Sequence, residues 1–203
     1  LAGPGQAANP VRIAVSKTPL SLPLYVAQEQ GYFKRHGVEV AFQDCLGGVR
    51  CFKMLLENQV DMATSSELPI VFNAFERQDF SLLASFVNNK KDMRFIANTN
   101  KLGEHLEHIK GARVGVVRRS ASQYFLDIFL LYNIIDPAAV QQVDLGPEEL
   151  GPALKEGKVD AIAAWEPWGF HALKGNPQAR EIDVPNLYNQ TFNLAGLDAY
   201  INS

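Results

Sequence analysis

Cysteine is scarce in this chain, with two in 203 residues. Two thiols exclude a disulfide scaffold, which small secreted domains assemble from several bridges. Long apolar runs are missing as well. The longest, Phe125 to Ile135, is interrupted by Asp127 and Asn133, so no stretch approaches the ~18 residues of a membrane span. An excess of basic residues is lacking too: 19 Lys plus Arg face 22 Asp plus Glu, a net charge of -3. That balance argues against nucleic acid and anionic membrane as main partners, since both reward basic stripes. No phosphate-binding P-loop, dinucleotide glycine fingerprint or G-x-S-x-G elbow occurs, so no enzymatic activity is expected. His105 and His108 stand three apart but lack a third ligand, and no metal or other cofactor is expected. His36 and His171 read as structural. No basic and apolar leader precedes Val11, so an intact signal peptide is not expected. Residues 1–10, LAGPGQAANP, read as a disordered tail.

What is present is the composition of a globular protein, 47% apolar and 20% charged, enough for a substantial core. Val11 to Ser16 is a β-branched run between Pro10 and Lys17-Thr18-Pro19, hence a strand. Leu22 to His36 carries a helical apolar spread stopped by Gly37. Strands are expected at Val38–Phe42, Val60–Thr64, Phe80–Val87 and Arg94–Asn98, with helices at Val49–Asn58 and Leu68–Arg77. The pattern then restarts. Helices are expected at Leu106–Lys110, Ser120–Tyr132, Pro147–Glu156 and Pro167–Leu173. Strands are expected at Ala112–Val117, Val140–Asp144, Val159–Ala164 and Arg180–Val184, and Thr191 to Ile201 is extended. Such alternation implies an α/β fold with mostly parallel sheets.

Leu55 to Ala63 matches Leu154 to Ile162 in kind, and aligning Val60-Asp61 on Val159-Asp160 sets Glu67 opposite Glu166. Any two strand–helix–strand units look somewhat alike. The alternative is two similarly built lobes with strand ends facing across a cleft, and ligands of open α/β sheets sit at those carboxyl ends.

The segment Pro23-Leu24-Tyr25-Val26-Ala27-Gln28-Glu29-Gln30-Gly31-Tyr32-Phe33, followed by Gly37-Val38-Glu39-Val40, resembles the opening of a type II periplasmic binding protein. The group it is most similar to is the nitrate/sulfonate/taurine and thiamine-pyrimidine-precursor class. Gly47-Gly48, Gln59-Val60-Asp61, Gly115-Val116-Val117 with Ser120, and Val159 to Trp168 continue the likeness from about residue 11 to 200. The resemblance implies a two-lobed type II fold and a periplasmic, or otherwise extracytoplasmic, receptor that captures a small molecule for the permease of an ABC importer. It implies contact with a membrane only through that transporter or a missing anchor. It also implies lobe 1 over residues 11–97, lobe 2 over 98–192, and a crossover strand over 193–203 returning toward lobe 1. The family's C-terminal helices, which complete the first lobe, would lie beyond Ser203. There are two departures: Arg119 stands where the family usually has Gly before the serine, and Cys45 and Cys51 flank Gly47-Gly48. Whether those cysteines are joined stays open.

The candidate site is one of binding. Lys17 and Leu20 lie in the first strand-to-helix loop, Gly48 lets a ligand approach backbone, and Ser65 and Ser66 follow a buried strand. In the second lobe Arg119, Ser120, Ser122 and Gln123 surround a helix start, where free N–H groups and partial positive charge suit an anion. Arg118 alternates with Arg119 along the chain, so at least one of them faces solvent. Trp165 offers an apolar wall and Glu166 an acceptor, with Trp168 assigned to the core. Glu67 and Glu166 would repel an anion. They therefore either pair with Arg119 or Lys17, or meet a ligand that carries donors, such as an aminopyrimidine or a zwitterionic aminosulfonate. The reading is a sulfonate, nitrate or taurine-like solute bound in an interlobe cleft. The competing readings are the ligand-sensing part of a larger signalling protein, an aminopyrimidine-binding protein and an enzyme on the same fold.

Overall fold

A computed structural model describes residues 9–103, 106, 108–184 and 186–203. Most of the tail expected over residues 1–10, together with His105, lies outside the described residues. In chain order the first half contains β1 (Val11–Ser16), α1 (Leu22–Glu29), α2 (Tyr32–Arg35), β2 (Val40–Cys45), α3 (Gly48–Leu56), β3 (Met62–Ser66), α4 (Glu67–Ala74) and β4 (Phe80–Asn89). The second half contains β5 (Met93–Asn98), α5 (Thr99–Leu102), β6 (Arg113–Val116), α6 (Ala121–Tyr132), β7 (Gln141–Asp144), α7 (Pro147–Lys155) and β8 (Ala161–Trp165). It ends with α8 (Trp168–Gly175), β9 (Ala179–Ile182), β10 (Gln190–Leu197) and α9 (Asp198–Ile201).

Local chemistry explains most boundaries. The helix expected over Leu22–His36 breaks at Gly31, whose φ of 66° lies in the left-handed region open to glycine. α6 starts at Ser120, whose hydroxyl accepts the Ser122 N–H at 3.0 Å. Glu149 reaches back to the Gly146 N–H at 2.6 Å, tying down the start of α7. No helix forms among the described residues of 106–110; Gly103 and Leu106 take φ values of 80° and 58°, incompatible with a helical run. The helix of that region is α5, a few residues earlier.

The chain divides into two units. Unit 1 takes the described residues up to Ser65, with Glu76–Phe86 and Phe192–Ser203; unit 2 takes Ser66–Phe75 and Val87–Thr191. Each holds a five-stranded sheet, ordered β2-β1-β3-β10-β4 in unit 1 and β7-β6-β8-β5-β9 in unit 2. The parallel pairing expected of α/β units is present between β1 and both β2 and β3. It recurs between β6 and both β7 and β8. β5, however, runs antiparallel to β8 and β9, so unit 2's sheet is mixed. Met93–Asn98, expected within a first lobe ending at 97, therefore belongs to the second sheet. The reason is topological: β5 inserts between β8 and β9, and nothing local in its sequence specifies neighbours so far along the chain. The stretch from 193, expected as a crossover strand, continues β10 within unit 1's sheet.

The internal similarity has a structural counterpart. In unit 1 the Arg12 guanidinium and backbone N–H converge on Asp61, with a further bond from Arg12 Nη1 to the Gln59 carbonyl at 3.0 Å. In unit 2 Arg113 clasps Asp160 in the same way and reaches the Gly157 carbonyl at 2.8 Å. Each clasp joins one strand to the segment entering its parallel neighbour, β1 to β3 in unit 1 and β6 to β8 in unit 2. Burial pushes the Asp160 carboxyl up, but the Arg113 and Lys101 hydrogen bonds outweigh it and hold the group at about 2.

Unit 1 packs Ile13 and Val15 against Leu24, with Phe52 edge-on to Phe80 at 5.0 Å. Unit 2 stacks Phe95 on Phe129 at 4.4 Å among Val114, Leu126 and Leu130. Burial of each such side chain contributes about 1.5–3 kcal/mol.

Candidate functional site

In unit 1 the carboxyl ends of three adjacent strands carry the candidates. Ser16 pairs in register with Cys45 of β2. The β1–β3 register, Ala14 on Ala63, sets Ser16 beside Ser65 two residues on. The hydroxyls of Ser16, Thr18, Ser21 and Ser65 are all buried and have no hydrogen-bond partner within the protein. Ser16, Ser21 and Ser65 have 0% exposure. A buried hydroxyl left unmade costs about 1–3 kcal/mol, so a cluster of them is a binding feature before it is a stabilising one. Ser66 is buried beside them in sequence and caps α4 without a side-chain bond. Ser21 precedes α1 and Gly47-Gly48 opens α3, so two helix N-termini add partial positive charge within the unit.

Lys17 is exposed and ion-paired with Asp44 at 2.9 Å. The pairing holds the Asp44 carboxyl below its usual range, and the lysine charge is thereby committed locally. Leu20 is buried in the short turn before α1. Gly47 takes φ 83°, which fits the close turn read from the glycine pair. Cys45 and Cys51 are joined, with Cα atoms 5.5 Å apart, so the disulfide fastens the end of β2 to the first turns of α3.

In unit 2 the candidates around α6 are satisfied internally. Ser122 donates to the Ala163 carbonyl at 2.7 Å and accepts the Val117 N–H at 3.0 Å. Ser120 donates to the Val117 carbonyl at 2.7 Å while capping the helix. Both hydroxyls tie the start of α6 to Val117, just past β6, and Ser122 also fastens it to β8. Arg119 has φ 55°, a left-handed conformation that favours glycine, which gives the family's usual glycine at this position its physical reason. Gln123 accepts the Arg119 N–H at 2.9 Å, and Arg119 Nη2 reaches the Phe72 carbonyl at 3.4 Å. Arg118 donates its N–H to Asp144 at 3.2 Å.

Trp165 is buried in the core of unit 2. Glu166 is ion-paired with Arg94 and accepts the Phe170 N–H at 3.0 Å. Glu67 accepts from the Tyr188 hydroxyl and from both the N–H and the hydroxyl of Thr191, at 2.9 and 3.0 Å. The two glutamates therefore have partners in their own unit, and these are not the Arg119 or Lys17 that one of the two sequence readings offered. Burial, reinforced by the bond to Glu67, pushes the Tyr188 hydroxyl well above its ordinary value.

Asp92 escaped the sequence reading, lying between the strands expected at Phe80–Val87 and Arg94–Asn98. Because β5 is antiparallel to β8, with Met93 on Trp165, Asp92 falls opposite Glu166 at the carboxyl end of β8. It is 4% exposed, and its Oδ2 has no partner. Burial, then the neighbouring Glu166 charge, push its carboxyl up to about 7. Only an unpaired Asp beside a predicted strand could have signalled it. Among the described residues no group of three side chains is placed to hold a metal ion.

Taken unit by unit, the chemistry offers neutral donors and helix N-termini in unit 1, and an unpaired buried acceptor in unit 2. Neither arrangement sets a nucleophile beside a base.

The family described as NMT1/THI5 like matches residues 18–198. A putative aliphatic sulfonates-binding protein of Bacillus subtilis (strain 168) is 24% identical over 162 residues, covering 78% of this chain and 48% of that protein. The chain thus spans about half the length of this curated relative. The periplasmic aliphatic sulphonate binding protein SsuA from Escherichia coli shares the fold with a TM-score of 0.77 at 20% identity, over 96% of this chain and 67% of that one. The alkanesulfonate-binding protein SsuA from Xanthomonas axonopodis pv. citri, bound to MOPS, gives 0.78 at 20% identity, over 98% and 68%.

Proposed function

Because the chain belongs to the NMT1/THI5-like family, we propose that it captures a small oxyanionic solute, a sulfonate, nitrate or taurine-like molecule, outside the cytoplasm for delivery to an ABC importer. The observation that carries this is the set of buried hydroxyls without partners in unit 1, Ser16 and Ser65 at strand ends and Ser21 before α1. Hydroxyl donors beside helix N-termini suit an anion that is not to be held by a fixed positive charge. Relatives named for aliphatic sulfonates support the ligand class. The Cys45–Cys51 bond supports an oxidising compartment. No helix among the described residues is long and apolar enough to cross a membrane, and the permease is the proposed route to it.

The test is thermal unfolding with a panel of alkanesulfonates, nitrate, bicarbonate and aminopyrimidines. A ligand at ~100 times its dissociation constant stabilises by about 2.7 kcal/mol. At least one oxyanion is expected to raise the midpoint. A shift with aminopyrimidines alone would redirect the ligand class, and a folded sample that no compound shifts would remove the reading.

A further inference from the structure

We propose a second binding site within unit 2, between α7 and α8, that takes a small uncharged aromatic molecule carrying a carbonyl acceptor. It shares no residue with the buried hydroxyls of unit 1 and does not depend on the oxyanion reading. α7 and α8 approach closely at Gly151, where an added Cβ would lie 3.3 Å from the Ala172 Cα. Beside that contact the two helices form a cavity of about 710 Å³, whose lining includes Gly151 and Lys155 of α7 and Trp168, His171 and Gly175 of α8. That is within the range of about 300–1,000 Å³ that holds small ligands. Gly151 and Lys155 stand four apart, and Trp168, His171 and Gly175 three and four apart, so each set shares one side of its helix.

Trp168 supplies the recognition. Sequence assigns it to the core, and its ring does pack against the buried cluster of Leu150, Leu154 and Ala172. Its Nε1–H, however, is buried and has no hydrogen-bond partner among the described residues. Buried indole N–H groups normally find one. The His171 ring lies 6.4 Å from the indole, tilted by 58°, so the two rings form an angled aromatic wall. The donor calls for an acceptor on the occupant, and the wall for a planar apolar body. Charges of both signs line the cavity: Lys155 against Glu148 and Glu156, the last ion-paired with Lys158 at 2.7 Å. A net charge on the occupant would meet attraction and repulsion together, so an uncharged carbonyl compound fits best.

The experiment is nitrogen–proton NMR of the full chain, titrated with benzamide, benzoate and benzylamine. Two tryptophans give two indole N–H signals, and Trp168→Phe assigns them. Benzamide is expected to move the Trp168 signal saturably, at the millimolar affinity of so small a probe. It should bind about fivefold more tightly than either charged analogue. Gly175→Leu adds a side chain where nothing lies within 4 Å of the new Cβ and φ is outside the left-handed region. That variant should weaken benzamide about tenfold or more by taking up room in the cavity. A Trp168 signal that benzamide leaves in place overturns the inference. So does benzoate or benzylamine binding as tight as that of benzamide, or benzamide binding that survives Gly175→Leu. If Gly175→Leu does not fold, the ranking of the three probes on the unaltered chain decides alone.

Discussion

Removing the Ser65 hydroxyl takes away a donor that no group of the protein receives. Ser65→Ala should therefore leave stability unchanged or raise it by up to about 1 kcal/mol, while weakening oxyanion binding about tenfold. Ser122→Ala should do the reverse. Its hydroxyl joins the Val117 N–H to the Ala163 carbonyl, and its loss should cost about 1–2 kcal/mol of folding free energy. Urea midpoints and calorimetric titration of both variants check the contrast; equal losses of stability would remove the distinction. Sequence placed Ser65 after a buried strand and Ser122 at a helix start. It could not tell a hydroxyl with a partner from one without, because the acceptor of Ser122 lies 41 residues away on β8. Arg119 is legible in the opposite sense. Its departure from the family's glycine shows in the sequence, and its left-handed φ of 55° stores strain of about 1 kcal/mol or more.

At the scale of elements, the Cys45–Cys51 bond closes a loop of six residues' separation between β2 and α3. The chain-entropy estimate for so short a loop is about 2 kcal/mol. Reduction should therefore lower the melting midpoint by about 5 °C, measured with and without reductant, and an unmoved midpoint would show that the bond adds nothing to stability. The paired cysteines also fasten the glycine turn that opens α3, so oxyanion affinity should fall on reduction. The two Arg–Asp clasps are the clearest products of the internal similarity. The sequence match at Val60-Asp61 and Val159-Asp160 located both aspartates, because each sits at a fixed offset before a strand. Their arginine partners, 49 and 47 residues earlier, follow only once β1 lies beside β3 and β6 beside β8.

For the whole molecule, two carboxylates pull the pH dependence of stability in opposite directions. Asp160 is held at about 2, below its unfolded value near 4. Its contribution is present above about pH 4 and is lost as pH falls through about 2. Asp92 is raised to about 7, so its burial is least costly when it is protonated. Its contribution is present below about pH 4 and is lost as pH rises through about 7. Asp92→Asn should therefore flatten the fall in stability between about pH 5 and about pH 8, and Asp160→Asn should weaken the loss below about pH 4. Denaturant midpoints at about pH 3, 5 and 8 decide this; a slope above pH 5 that survives Asp92→Asn would show that Asp92 is not its source.

Sequence by itself determined the alternating α/β elements, the internal similarity, the glycine turn at Gly47-Gly48 and the serines that end β3, because periodicity, capping and turn residues act within a few positions. The family likeness was legible for the same reason, carried by short segments in fixed order. Tertiary structure alone decided that Cys45 meets Cys51, that Ser120 and Ser122 serve the fold, and that Glu166 pairs with Arg94. It also decided that Asp92 stands at the carboxyl end of β8. That last placement depends on β5 inserting antiparallel between β8 and β9, a pairing between strands more than sixty residues apart. Sheet register is set by which apolar faces bury together across the whole unit, and no local pattern around Asp92 carries that information.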